Sequence, residues 1–259
     1  MKAVILHHDG TRMVRQDAAV AVEDPLEIRL EEEALAVTMR TPGHDEDLVT
    51  GFLLTEGIVL APAEIARIER VGTTDESRLS ARLAQEITVD TQRFQRRTFV
   101  SSSCGICGKS SIENVRLLSR PLARFTIKRE IIASLADRLL AGQPGFLATG
   151  GLHAAGLFGL DGSAMMVRED VGRHNAVDKV IGAVARTQWP LPPAILVVSG
   201  RQSFEIVQKA AMAGIGGIVG VSAPSSLAVD LATETGMLLV GFARGNAFNI
   251  YAGQERVTA

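Results

Sequence analysis

Ala194-Ile195-Leu196-Val197-Val198-Ser199-Gly200-Arg201-Gln202-Ser203-Phe204 reads as an apolar strand, a polar turn and the start of a helix. Five consecutive aliphatic residues leave no polar face, so this strand must be buried on both sides, as in a parallel sheet covered by helices. The pattern continues downstream with a helix over 204–213, a strand over 217–221, a helix over Ser226–Thr235 and a strand over 237–242. Strand alternating with helix predicts a doubly wound α/β layout.

Working back from that stretch, residues 173–186 form a helix with Ala176, Val177, Val180, Ile181 and Val184 at core spacing. Strands over 152–160 and 164–167 flank Asp161-Gly162, a hairpin signal. Residues 128–141 make an amphipathic helix with Ile131, Ile132, Leu135, Leu139 and Leu140 as its buried stripe, closed by Gly142 and Pro144. Further upstream the chain is strand-rich, at 27–30, 34–39, 65–71 and 94–100. One helix interrupts these strands over 43–57, with acids in its first turn, Leu48, Phe52 and Thr55 on one face and Gly57 as a stop. The division expected is an α+β unit over residues 1–120 and an α/β unit over 121–259.

Composition supports that class. With 46% hydrophobic but only 4% aromatic residues, the core must be built from Ala, Val, Ile and Leu. The 27 basic and 29 acidic side chains nearly cancel, which argues against general nucleic-acid binding and provides no polybasic membrane anchor. The four apolar residues Ala3–Leu6 are too few for a signal-peptide core, and the longest uncharged apolar run, 210–221, is too short to cross a bilayer. A cytoplasmic, soluble protein is expected.

The chain's two cysteines lie together in Ser101-Ser102-Ser103-Cys104-Gly105-Ile106-Cys107-Gly108-Lys109-Ser110-Ser111. Serine and glycine on both sides predict a mobile polar loop. A thiol at its reference pKa of about 8.5 is only ~3% thiolate at pH 7, so sulfur chemistry needs help to stabilise the anion. Lys109 supplies charge, and Ser110-Ser111-Ile112-Glu113 reads as a capping box that would aim a helix N-terminus at the thiols. Two cysteines cannot build a disulfide framework and suit a reducing compartment. From the residues alone the dithiol can be structural, redox-active or nucleophilic.

Ligands of an open parallel sheet bind beyond the carboxyl ends of its strands. Three segments fall there: Ser199-Gly200-Arg201, Ser222-Ala223-Pro224-Ser225-Ser226, and Phe242-Ala243-Arg244-Gly245-Asn246-Ala247. Hydroxyls and Pro224 are ordinary helix-start chemistry. Arg201 and Arg244, each beside glycine, add bidentate phosphate donors with room for backbone approach. His174 and Asp178, one helical turn apart, have the spacing of a base oriented by a carboxylate, although hydrogen bonds at a helix start explain them equally well. His153 is read as a packed histidine within an apolar strand, and His44 as a solvated one.

Several motifs fail. Cys107-Gly108-Lys109-Ser110 ends like a phosphate-binding loop, but Ser103 stands where that motif requires glycine. A zinc site would need ligands beyond these two cysteines, and Ser103 stands where the deaminase pattern P-C-x-x-C requires proline, so no metal is expected.

The cysteine loop, together with Thr149-Gly150-Gly151-Leu152-His153, the run from Arg168 through Asp170, His174 and Asn175 to Lys179, Ser199-Gly200-Arg201 and Ser222-Ala223-Pro224-Ser225, resembles the formate dehydrogenase accessory sulfurtransferase family, FdhD. The resemblance spans about residues 41–251. It implies a cytidine deaminase-like three-layer α/β domain after a smaller α+β unit, and a homodimer. It implies a sulfurtransferase that accepts sulfur from a cysteine desulfurase as a Cys104 persulfide, with Cys107 assisting. The sulfur would pass to a molybdenum or tungsten bis-molybdopterin guanine dinucleotide cofactor before insertion into the formate dehydrogenase apoenzyme. The guanine dinucleotide site would map to Phe242, Ala243, Arg244, Gly245, Asn246 and Ala247; our addition to it is Ser199, Gly200 and Arg201. Two other functions fit the residues: a non-catalytic chaperone for the cofactor, and a dithiol oxidoreductase.

Overall fold

The computed structural model describes residues 1–72, 77–84, 122 and 124–259. The strand expected over 94–100, the cysteine loop with Cys104, Cys107 and Lys109, the cap over 110–113 and the boundary expected at residue 120 lie outside them. The chain opens with a hairpin that the sequence reading did not anticipate, β1 (Lys2–His8) and β2 (Met13–Ala19). A four-stranded sheet follows, built from β3 (Asp24–Leu30), β4 (Glu33–Arg40), β5 (Ile65–Arg70) and β6 (Arg78–Leu83) in the order β4-β3-β6-β5. Helix α1 (Asp45–Thr55) lies between β4 and β5 in sequence.

Leu26, Ile28 and Leu30 alternate along β3 and are all buried, packing with Leu35, Leu79 and Ala81 against Leu48, Val49, Leu53 and Leu54 of α1. The period of two puts one face of the sheet on the helix and the other outward. Each such leucine or isoleucine contributes on the order of 1.5–3 kcal/mol by burial.

The second sheet contains β8 (His153–Gly159), β9 (Ala164–Asp170), β10 (Ala194–Val198), β11 (Gly217–Gly220), β12 (Leu238–Arg244) and β13 (Ala247–Ala252), ordered β13-β12-β11-β10-β8-β9. A two-residue strand β7 (Ile127–Lys128) pairs separately with β14 (Val257–Thr258). Within the six-stranded sheet β10, β11 and β12 are mutually parallel, whereas β8, β9 and β13 run antiparallel to their neighbours. The mixed α/β class stands, but the doubly wound expectation narrows to those three strands. The Asp161-Gly162 turn does join β8 to β9.

Helices cover both faces of this sheet. Ala194, Leu196 and Val198 point toward α4 (Arg173–Ala185), α5 (Phe204–Met212) and α6 (Ser226–Thr235), whereas Ile195 and Val197 point toward α2 (Arg129–Ala141). This two-sided burial is why β10 is an unbroken apolar run. On α2, Ile132, Leu135 and Leu139 are buried as expected, but Leu140 is exposed; it faces a cleft. A short helix α3 (Pro144–Thr149), started by Pro144, follows where the sequence reading placed only a stop.

α1 is sandwiched between the first sheet and α4, so it is buried nearly all round rather than along the one face expected; Phe52 is only half-buried. The two helices touch backbone to backbone. A Cβ at Gly51 would lie 1.8 Å from the Asp178 carbonyl oxygen, and one at Gly182 would lie 1.9 Å from that of Asp47. Ion pairs close the same seam. The Lys209 ammonium meets Asp178 at 2.9 Å, Glu56 at 2.9 Å and the Thr55 hydroxyl at 3.0 Å. Burial opposes that charge, but Asp178 and Glu56 together outweigh it and hold Lys209 protonated.

Candidate functional site

The carboxyl ends of β10, β11 and β12 open into a cleft of about 550 Å³, within the roughly 300–1,000 Å³ of small-molecule sites. Ser199, Val221 and Ala243-Arg244-Gly245 form its floor, one from each strand end. His153 joins them because β8 is antiparallel to β10 and starts where β10 stops. The opposite wall is Ala136, Asp137 and Leu140 of α2 with Phe146 of α3, and Gly150-Gly151-Leu152 leads from α3 back into β8. The result is an apolar slot with one carboxylate, one guanidinium and one imidazole.

Each residue is held in a definite way. The Ser199 backbone N–H donates to the Ala154 carbonyl at 3.0 Å, and the Ser199 hydroxyl accepts from the Ala154 N–H at 2.9 Å. That reciprocal pair fixes the end of β10 beside the start of β8. Gly200 is buried; a Cβ there would crowd the His153 ring at 3.3 Å and the Arg173 side chain at 3.5 Å. Arg201 is exposed and does not line the cleft. Gln202, fully buried, donates from Nε2 to the Ser222 carbonyl at 3.1 Å and spans from β10 to the turn after β11. Gly220 makes room for it, since a Cβ there would lie 1.9 Å from Gln202 Nε2.

The segment from Phe242 to Ala247 differs from the expected strand-end loop. β12 continues through Arg244, Gly245-Asn246 forms a two-residue turn with Gly245 at φ 53°, and Ala247 pairs with Arg244 as β13 begins. A register shift between Gly241 and Arg244 bulges β12, with Phe242 at φ 55°. A bulky residue in that left-handed region carries roughly 1–3 kcal/mol of strain. The bulge turns Ala243 inward, fully buried, and leaves the Phe242 ring 45% exposed. Of the six residues, Ala243, Arg244 and Gly245 line the cleft, and Phe242, Asn246 and Ala247 do not.

Three of the five histidines, His44, His153 and His174, separate in environment. His44 is exposed, as expected of a solvated residue, and occupies the cap position of α1 at φ 58°. His153 is half-buried, and burial followed by the charges of Arg173 and His174 pulls its pKa below the ordinary value, so its ring is neutral at pH 7. His174 does not engage Asp178. Its Nε2 sits 3.5 Å from Glu205 Oε2 and 3.4 Å from the Ser203 hydroxyl. Asp178 instead accepts from Thr55 at 2.7 Å and from Lys209, inside the seam with α1. A triad-like His174–Asp178 pair is therefore ruled out by packing.

The rest of that motif is architectural. Glu169 accepts from the Gly145 and Phe146 N–H groups at 2.8 and 2.7 Å, satisfying the start of α3 and with it the cleft wall. Asp170, fully buried, accepts from the Thr41 and Gly172 N–H groups, from Asn175, and from Lys179 at 2.7 Å. Arg168 reaches Asp47 of α1 at 2.9 Å. Missed by sequence reasoning were Asp137, Leu140 and Phe146, which belong to the opposite layer; the one visible signal was a leucine at the exposed end of an amphipathic helix. Among the described residues no group of three His, Cys, Asp or Glu side chains is placed to hold a metal ion, and no helix is long and apolar enough to cross a membrane.

Comparison with known proteins adds to this geometry. The model of the FdhD/NarQ family matches residues 21–258, leaving the β1–β2 hairpin outside the matched span. Relatives named sulfur carrier protein FdhD include one from Nocardia farcinica, 48% identical with 94% of this chain and 90% of the relative covered. One from Streptomyces coelicolor is 48% identical over 99% of this chain and 94% of the relative. A solved structure from Desulfotalea psychrophila, described as a formate dehydrogenase accessory protein, superposes with a TM-score of 0.78 at 27% identity, covering 100% of this chain and 98% of that one.

Proposed function

Because the chain belongs to the FdhD/NarQ family, we propose that it is a sulfur carrier serving formate dehydrogenase, with Cys104 as the atom-bearing residue. What carries the reading is a likeness at 48% identity, over nearly the whole chain, to relatives that bear the sulfur-carrier name. Cys104 and Cys107 are the chain's only thiols, so a sulfur-carrying role falls to this pair. Sulfur from a cysteine desulfurase would be held on Cys104 as a persulfide. A persulfide ionises more readily than its parent thiol, and the neighbouring Lys109 favours that anion. Cys107 assists at the same locus. The reducing cytoplasm keeps both thiols available.

The substrate receiving the sulfur would be the molybdenum or tungsten bis-molybdopterin guanine dinucleotide cofactor, before its insertion into the apoenzyme. The cleft at the strand ends fits one nucleotide arm of such a molecule. Its walls Leu140, Phe146 and Leu152 offer apolar cover for a base, and Arg244 offers a phosphate partner beside Gly245, where backbone can approach.

The test is reconstitution of formate dehydrogenase in cells lacking their own carrier. Wild-type protein should restore activity and Cys104→Ala should not. Equal restoration by the alanine variant would leave only a cofactor-holding role, while equal loss on Cys107→Ala, with a readily formed Cys104–Cys107 disulfide, would favour an oxidoreductase.

A further inference from the structure

Gln143, between α2 and α3, lines the cleft at the strand ends and is only 4% exposed. Its backbone is satisfied, the N–H donating to the Leu140 carbonyl at 3.1 Å and the carbonyl accepting from the Leu147 N–H at 3.0 Å. Its side-chain amide has no partner among the described residues. A polar residue at the cap position of a helix ordinarily bonds the first free N–H groups. Here Pro144 has none, and Glu169 already accepts from Gly145 and Phe146 at 2.8 and 2.7 Å, so capping leaves the amide idle. Unlike the orphaned Gln202 and Gln208 oxygens, it is not sealed from solvent, because the residue opens onto the cleft. A nearly buried polar group left unpaired is unfavourable until something completes it.

Asp137 lines the same wall from α2. It is exposed and has no partner among the described residues; one turn away on its helix stand Ala133, Ser134, Leu140 and Ala141, none of them a cation. Leu140 falls between Asp137 and Gln143 in sequence, with Phe146 and Leu152 completing the apolar cover. A carboxylate only accepts hydrogen bonds, whereas an amide also donates them. A flat ring under that cover therefore meets acceptor oxygens from Asp137 and an N–H donor from Gln143.

We propose that Asp137 and Gln143 are specificity-determining residues that read the polar edge of an aminopyrimidinone ring, the edge that guanine shares with the pterin of the same cofactor. Asp137 accepts from the ring N–H and from the exocyclic amine, and Gln143 Nε2 donates to the ring carbonyl. Adenine fails at both positions, since it turns a ring-nitrogen lone pair to the carboxylate and an amine to the amide N–H. The amide alone can turn over to suit adenine, so the carboxylate sets the choice. Base reading rests on the cleft being the cofactor site, and it narrows that role to one ring edge.

Calorimetry on the full chain with GDP, IDP, ADP and a free pterin carrying no nucleotide tests it. Wild type should bind GDP roughly tenfold or more tighter than IDP, whose base lacks the exocyclic amine and loses one bond to a charged acceptor, and should bind ADP more weakly still. Asp137→Asn should weaken GDP and shrink its lead over IDP. Gln143→Glu sets a carboxylate against the ring carbonyl, so it should weaken GDP by roughly tenfold or more while ADP binding holds or improves. Asp137 is exposed, so its variant keeps the fold whatever the change at Gln143 does. Tight pterin binding with weak GDP binding, lost in both variants, would support the same edge and assign it to the pterin. Equal affinities for GDP and ADP, or GDP affinity unchanged in either variant, would overturn base reading and leave the cleft a nucleotide site. Binding of none of these ligands would overturn base reading together with the cofactor cleft.

Discussion

Arg244 and Glu205 show how much a single side chain decides here. Arg244 stands at the cleft mouth beside a glycine turn, at the end of a bulge that turns Ala243 inward. A charge-assisted hydrogen bond contributes about 1.5–3 kcal/mol, so Arg244→Ala should weaken guanine-nucleotide binding by roughly ten- to a hundredfold in calorimetry. Unchanged affinity would remove that contact from the account. Glu205 is pulled down to about 2, chiefly by its hydrogen bond to His174, against burial and with help from Ser203. A depressed carboxylate stabilises the fold above its unfolded value of 4.5 and loses that contribution as pH falls through its folded one. Glu205→Gln should therefore melt below wild type at pH 7, with the gap closing between pH 4.5 and about pH 2; a gap constant with pH would contradict the pairing. The sequence offered Asp178 as the partner of His174 from their four-residue spacing. Helical periodicity places two residues on one face but does not say that α1 and Lys209 will claim one of them.

Among the elements, the crossing of α1 and α4 has the tightest tolerance. Gly182→Ala would press a methyl group against the Asp47 carbonyl, and the helices must part to accept it. Overpacking of this kind costs typically 1–3 kcal/mol, and about 2–4 °C of melting temperature accompanies each kcal/mol in a protein of this size. A melt within a degree of wild type would mean that the helices are less closely apposed than described. Elements with unambiguous patterns were legible from sequence: β10 and α6 have the bounds expected, and β8, β9, α2 and α4 differ only at their ends. Others were not. β13 was hidden because Gly245-Asn246 reads equally as a ligand loop and as a hairpin turn. The β1–β2 hairpin was hidden because a strand exposed on one face offers little burial to announce it.

At the scale of the whole molecule, the six-stranded sheet and the helices α2 and α3 leave the strand ends of β10, β11 and β12 open as one cleft. Strand-end reasoning found its floor, Ser199 with Ala243, Arg244 and Gly245. It could not find the wall of Asp137, Leu140 and Phe146, because which helix covers which face follows from tertiary packing. The chemistry assigned to Cys104 was legible only through cysteine count, local charge and family likeness. Intact-protein mass spectrometry after incubation with a cysteine desulfurase and free cysteine tests that assignment most directly. The account predicts the gain of one sulfur atom, released by reductant and missing in Cys104→Ala; an alanine variant that takes up the same sulfur would contradict it.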